Sequence, residues 1–177
     1  MALGKMNGYF ASFLFGFIVR LVPEAIGYPA PIGYNIVAFY APVLANFHAW
    51  GSRILVNLFC PPQWSPLAYI LMIPFTLVMR PYAVLATFSP LFYGVLTLVI
   101  YRFLRIQGLT TKVTLLGVFF VAIQFPVLRL SWDMPSEILA VSAGVLALTL
   151  LVNHGTLRRY IILASMLVVT GLAHQVV

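Results

Sequence analysis

Long apolar runs separated by isolated basic residues set the pattern of this chain. A bilayer crossing takes about 20 consecutive apolar residues, and runs of about 10 to 14 are more often re-entrant or interfacial. Five runs reach crossing length: residues 8–22, 82–104, 113–130, 136–152, and a last one that begins near Tyr160 and continues to the chain end. Ser89-Pro90 predicts a kink in the second. A sixth run, Pro66 to Met79, is shorter and contains Pro74. The segment before the first run is too short for a charged signal region, and no small-residue cleavage site follows it, so the first run reads as a retained helix.

Charge decides whether the sixth run crosses. Lys and Arg concentrate in cytoplasmic loops. With Lys5 inside and the sixth run not crossing, Arg102, Arg105, Lys112, Arg158 and Arg159 all fall inside. Glu24, Asp133 and Glu137, the only acidic residues of the chain, then all fall outside. If the sixth run crosses, those basic residues move outside and the pattern inverts. The expectation is therefore an all-α integral membrane protein of the plasma membrane with an inside N-terminus. It has about five transmembrane helices, and interfacial juxtamembrane helices in a long first outer loop. That loop, from about Pro23 to Pro81, carries nine of the twelve prolines together with Trp50 and Trp64, yet stays largely apolar. Such a composition suits short helices in the headgroup layer, and Ile36–Phe47 and Pro66–Met79 are the candidates. No repeat or second domain interrupts residues 1–177, which read as a single membrane domain.

Composition narrows the function classes. The chain is 63% hydrophobic and 7% charged, where a soluble domain needs about a quarter of its residues charged. Its net charge of +7 does not imply nucleic acid, because the basic residues stand singly between apolar runs. Membrane lipids are the expected partners. The single Cys60 excludes an internal disulfide and a cysteine metal site. No nucleotide-binding glycine loop, HExxH or GxSxG pattern is present.

The candidate chemistry is sparse. In LRLSWDMPSEIL, Asp133 can cap the following helix, Pro135 fits its first turn, and Glu137 favours its positive end. Arg129, one turn before Asp133, and the interfacial Trp132 argue for more than capping, since ionisable groups at membrane depth are costly and usually functional. Glu24 follows Arg20 by one helical turn, which reads equally as a stabilising ion pair or a catalytic carboxylate. Arg53 and Arg80 flank the interfacial segments and can snorkel to headgroups individually. Together with Arg20 and Arg129 they could cradle a phosphate. His174, beside Gln175 near the outer end of the last run, is either an interhelical hydrogen-bonding residue or part of the same polar site.

The order of these features resembles the N-terminal part of the GT-C superfamily of membrane glycosyltransferases. The segments that carry the resemblance are RLVPEAIGYPAPIGYNIVAFY, the proline-headed PPQWSPLAYI, the basic YRFLRIQGLTTK, the aspartate-containing RLSWDMPSEILA, and GLAHQVV. The resemblance covers nearly the whole chain, though each motif is short. It implies transfer of a sugar from a polyprenyl-phosphate donor to an acceptor on the outer face. It also implies that arginines neutralise the leaving phosphate and that Asp133 orients the acceptor base or helps hold a divalent metal ion, Mg or Mn. The family's first-loop catalytic aspartate would fall at Asn35, and an amide cannot act as a carboxylate base. Glu24 would then substitute, or the chain would be a degenerate relative. Family members have more helices, so the chain reads as the N-terminal part of a larger module, completed by further sequence or a second chain. Two other readings stay open: a small substrate-binding transporter subunit, which requires Pro66–Met79 to cross, and a non-catalytic membrane scaffold.

Overall fold

The computed structural model describes residues 2–27, 33, 36–47, 66–133, 135–152 and 157–173. Among these the regular structure is all helix, with no strand. Helix α1 spans Ala2–Gly27, and a π-helical turn Ile36–Tyr40 leads into α2, Ala41–Asn46. Helix α3, Pro66–Met72, continues as a 3-10 helix over Ile73–Leu77. Then follow α4 (Pro81–Ile106), α5 (Thr111–Ile123), α6 (Phe125–Asp133), α7 (Pro135–Val152) and α8 (Leu157–Ala173).

Among the described residues two helices, Asn7–Gly27 within α1 and Pro81–Ile106, are long and apolar enough to cross a bilayer, and the bent pair α5–α6 makes up to three. The apolar part of α7, Pro135–Leu151, is shorter. The α3 segment with its 3-10 extension is shorter still. At about 1.5 Å per α-helical and about 2.0 Å per 3-10 residue it reaches roughly 20 Å, against a hydrocarbon core of about 30 Å.

Helix ends follow local chemistry. Pro81 opens α4, where a missing N–H costs nothing. The same helix stops at Gln107, and Gly108, with φ +86°, takes the left-handed position just past the end. The Thr110 side chain then caps α5 by accepting from the Val113 N–H. Helix α4 runs through Pro90 without interruption, so the expected kink there is not a break in the helix.

The expected span 113–130 is not one straight helix. α5 and α6 meet at 59°, with Gln124 extended between them. Pro126 is the physical reason, because it has no N–H to donate to the carbonyl four residues back, at Ala122. The Tyr93 hydroxyl donates to that carbonyl instead, at 2.7 Å. The next helix boundary works the same way. Pro135 cannot donate to the Ser131 carbonyl, and the Arg20 Nε–H does, at 3.4 Å. Helix α6 is thus bracketed by two prolines, and a buried side chain from α4 or α1 takes each released carbonyl.

Helices α1 and α4 are antiparallel and form the centre of the fold. Gly8, Ser12, Gly16, Arg20 and Glu24 recur every fourth residue on α1 and are all buried. They face a matching row on α4: Ser89, Tyr93, Thr97 and Tyr101. Thr97 donates to the Ser12 carbonyl at 2.8 Å, and the Tyr9 and Tyr101 rings meet edge-on at 4.9 Å. A Cβ on Gly8 would strike the Tyr101 hydroxyl, and one on Gly16 would strike Thr97. Small residues at four-residue spacing let two helices approach closely where lipid removes the hydrophobic drive. On the opposite face of α1, Phe10, Leu14, Ile18, Val22 and Ile26 are exposed at the same spacing, as a lipid-facing stripe requires.

The short helical pieces between α1 and α4 pack together at one end of this pair. Ile36, Tyr40, Leu44, Ala68, Tyr69 and Met72 form an apolar cluster with Val84 and Leu85, near the start of α4. The Tyr40 and Tyr69 rings stack at 5.4 Å. A second cluster joins Phe92, Tyr93 and Leu96 to Ala122 of α5 and Ile138 of α7.

Candidate functional site

Arg20 and Glu24 form a buried pair near the end of α1. Helix α1 continues through Pro23 to Gly27, past the expected end of the span, so the two residues sit one turn apart on a single helix face. Their ion pair, Nη2 to Oε1, is 2.5 Å, a close contact of charges without directed hydrogen-bond geometry. Arg20 is fully buried and Glu24 is 3% exposed. This depth separates the pair from a surface salt bridge, whose worth is about 0–1 kcal/mol.

Arg20 also ties α1 to α6. Its Nε bonds the Ser131 carbonyl in the last turn of α6, where the helix dipole favours a cation. The guanidinium therefore stands between two centres of negative charge, the Glu24 carboxylate and that helix end. Its Nη1 nonetheless has no hydrogen-bond partner among the described residues. Ser89 Oγ, also buried, has none either. Arg20 lies two turns beyond Ser12, and Ser89 lies two turns from Thr97 in the opposite sense, so the bonded pair Ser12–Thr97 puts both at one level of the interface. Buried polar groups usually find partners, and those that do not call for a reason such as ligand binding.

A groove of about 340 Å³ opens beside the pair. Phe17, Leu21, Glu24 and Ala25 line it from α1, and Ala83, Ala86 and Thr87 from α4. Glu24 is its only ionisable lining residue. Thr87 donates its own hydroxyl proton to the Ala83 carbonyl at 2.8 Å.

A second polar contact lies at the start of α7. The hydroxyls of Tyr40 and Ser136 share a hydrogen bond of 2.5 Å, which fastens the Tyr40–Tyr69 cluster to this helix end. Burial pushes the Tyr40 phenol up to about 12, opposed by the bond from Ser136 and reinforced by the nearby Glu137 charge. Burial pushes the Tyr69 phenol up as well. Glu137 is half-buried in the first turn of α7, where its charge suits the helix dipole.

The expected residues are therefore gathered in part. Arg20, Glu24 and the Ser131 carbonyl meet directly. Asp133 closes α6, two residues after the Ser131 whose carbonyl Arg20 bonds, and Glu137 lies in the first turn of α7. Arg129 is exposed on α6, and Arg80 is exposed at the N-cap of α4. Asn35, Arg53 and His174 lie outside the described residues. Among the described residues no three His, Cys, Asp or Glu side chains come together.

Sequence reading gives Tyr93, Thr97 and Ser136 no role and Ser89 only a kink beside Pro90, although two signals point to them. One is the four-residue recurrence of small and polar residues within apolar runs. The other is each proline's release of the carbonyl four residues before it. Comparison with protein-family models, curated proteins and solved structures returns no match.

Proposed function

We propose that this chain is the N-terminal membrane part of a GT-C-like glycosyltransferase, with Glu24 as the base that deprotonates an acceptor hydroxyl. The sugar comes from a polyprenyl-phosphate donor. The observation that carries the reading is the placement of Glu24: a buried carboxylate, held by a buried arginine, on the wall of an open groove. A carboxylate in a sequence with only three acidic residues is held at such a position at considerable cost, and intramembrane ionisable groups mark functional sites by default.

The proposed roles follow from chemistry. The leaving group is a lipid phosphate whose developing charge needs fixed cations. Arg20 is preorganised by the Ser131 carbonyl, and the exposed Arg80 and Arg129 are proposed to share the phosphate with it. Asp133, Glu137, Arg53 and His174 complete the proposed constellation, with Asn35 standing where the family carries its aspartate. The proposed topology has Lys5 inside, crossings by α1, α4, α5–α6, α7 and α8, and the site on the outer face. The short reach of α3 and its 3-10 extension supports this arrangement and counts against a six-span transporter subunit.

The test is transfer of labelled sugar from polyprenyl-phosphate donors to lipid extract in vesicles containing the protein, co-expressed with any downstream chain. Glu24→Gln keeps the side-chain shape and removes the charge. General-base loss lowers the rate by about 10²–10⁴-fold. Transfer at the unmodified rate by E24Q would dispose of Glu24 as the base.

A further inference from the structure

The groove between α1 and α4 has a chemistry of its own. Five of its lining residues, Phe17, Leu21, Ala25, Ala83 and Ala86, are apolar. The two polar ones both offer acceptors. Glu24 presents a carboxylate, and Thr87 has committed its proton to the Ala83 carbonyl, which leaves its oxygen lone pairs. An occupant must therefore bring a hydrogen-bond donor. An anion would find no donor there, because both of these polar groups only accept. Positive charge gains little, because Arg20 already neutralises Glu24 at 2.5 Å. What remains is an uncharged hydroxyl on an apolar body.

The setting says how such a molecule arrives. Both walls belong to the two helices long enough to cross a bilayer. Val22 and Ile26, 50% and 81% exposed, and Tyr82, 46% exposed, border the same ends of those helices and face outward. A volume of about 340 Å³ is at the small end of ligand sites. It suits the hydroxyl end of a chain whose remainder lies in the bilayer.

We infer that the α1–α4 groove is a binding site for a membrane-soluble long-chain alcohol, whose hydroxyl donates to Glu24 while its chain lies along Phe17, Leu21 and Ala86. If the sugar-transfer reading holds, this alcohol is the acceptor, and that extension rests on the reading. The phosphate of the donor then approaches Arg20 from another side, since Glu24 guards this one.

The experiment is photolabelling of the purified protein in phosphatidylcholine nanodiscs with a diazirine-bearing hexadecanol. Unlabelled hexadecanol, hexadecane and hexadecyl phosphate serve as competitors. Labelled peptides should map to α1 and α4 around the groove. One hydrogen bond to a charged acceptor is worth about 1.5–3 kcal/mol, so hexadecanol should compete about tenfold or more better than hexadecane. Ala86→Trp fills the groove and should remove most labelling there. The double variant R20M/E24L replaces the pair with apolar residues, and in it hexadecanol and hexadecane should compete equally. Equal competition in the unmodified protein, or labelling indifferent to A86W, would mean ordinary lipid contact and overturn the inference. Preferential competition by hexadecyl phosphate would overturn it too. Labelling needs no turnover. Selective labelling without sugar transfer would therefore remove the enzyme reading and keep the groove, and transfer without selective labelling would do the reverse.

Discussion

Removing Arg20 while keeping Glu24 should damage the fold more than removing both. In Arg20→Met, the Glu24 carboxylate stays buried without its cation, and breaking a buried pair in this way costs about 3–5 kcal/mol. The Ser131 carbonyl also loses its donor, and Pro135 has no N–H to replace it. An unsatisfied buried acceptor adds about 1–3 kcal/mol. The single variant should thus lose roughly 4–8 kcal/mol. In R20M/E24L only the Ser131 term remains, because apolar residues of similar volume replace buried ion pairs at little cost. The double variant should therefore recover at least about 3 kcal/mol relative to R20M. The assay is reversible unfolding in mixed micelles, followed by tryptophan fluorescence, as a double-mutant cycle with Glu24→Leu as the other single variant. Additive losses, with the double variant as unstable as the sum of the singles, would refute the coupling and the burial it is built on.

Other outcomes follow from particular contacts. Tyr93→Phe leaves the Ala122 carbonyl without its donor and should cost about 1–3 kcal/mol, and Pro126→Ala in the same chain should recover part of that by restoring a backbone N–H. An equal loss with and without P126A would contradict the proline explanation of the α5–α6 bend. Gly16→Leu should separate α1 from α4, read as loss of a disulfide crosslink between cysteines placed at positions 12 and 97 in a Cys60→Ser background. The Tyr40 phenol has a folded value of about 12 against about 10 unfolded, so its contribution is present below pH 10 and is lost as pH rises towards 12. That loss is on the order of 2–3 kcal/mol. Stability in detergent measured from pH 9 to 12 should fall less steeply in Tyr40→Phe, and parallel slopes would show that Tyr40 is not buried as described.

Much of this arrangement is legible in the sequence because its signals are local. Hydropathy locates α4 and α7 to within two residues and the start of α8 to within three, while α1 runs five or six residues past the expected run at each end; the spacing of Arg20 and Glu24 anticipates their ion pair. The break at Gln124 is not visible to hydropathy, since residues on both sides of it are apolar. It needs Pro126 to be read for the carbonyl it strands, and only the packed structure shows that Tyr93 is the group that takes it. The bond from Arg20 to Ser131 spans 111 positions of sequence and has no local signature at all. The polar rows on α1 and α4 lie between these cases. Their four-residue period is plain once sought, yet single serines and threonines in apolar runs carry no meaning until two such rows face each other.

One topological measurement bears most directly on the whole proposal. Ile26 and Val78, each 81% exposed, stand at the two ends of the stretch between α1 and α4. Single cysteines at these positions, with Cys60 replaced by serine, can be probed on intact cells with a membrane-impermeant maleimide. If α3 and its 3-10 extension lie along the membrane surface, both cysteines react from outside without permeabilisation. Reaction of one from outside and the other only after permeabilisation would put that stretch across the bilayer and separate Glu24 from the start of α4.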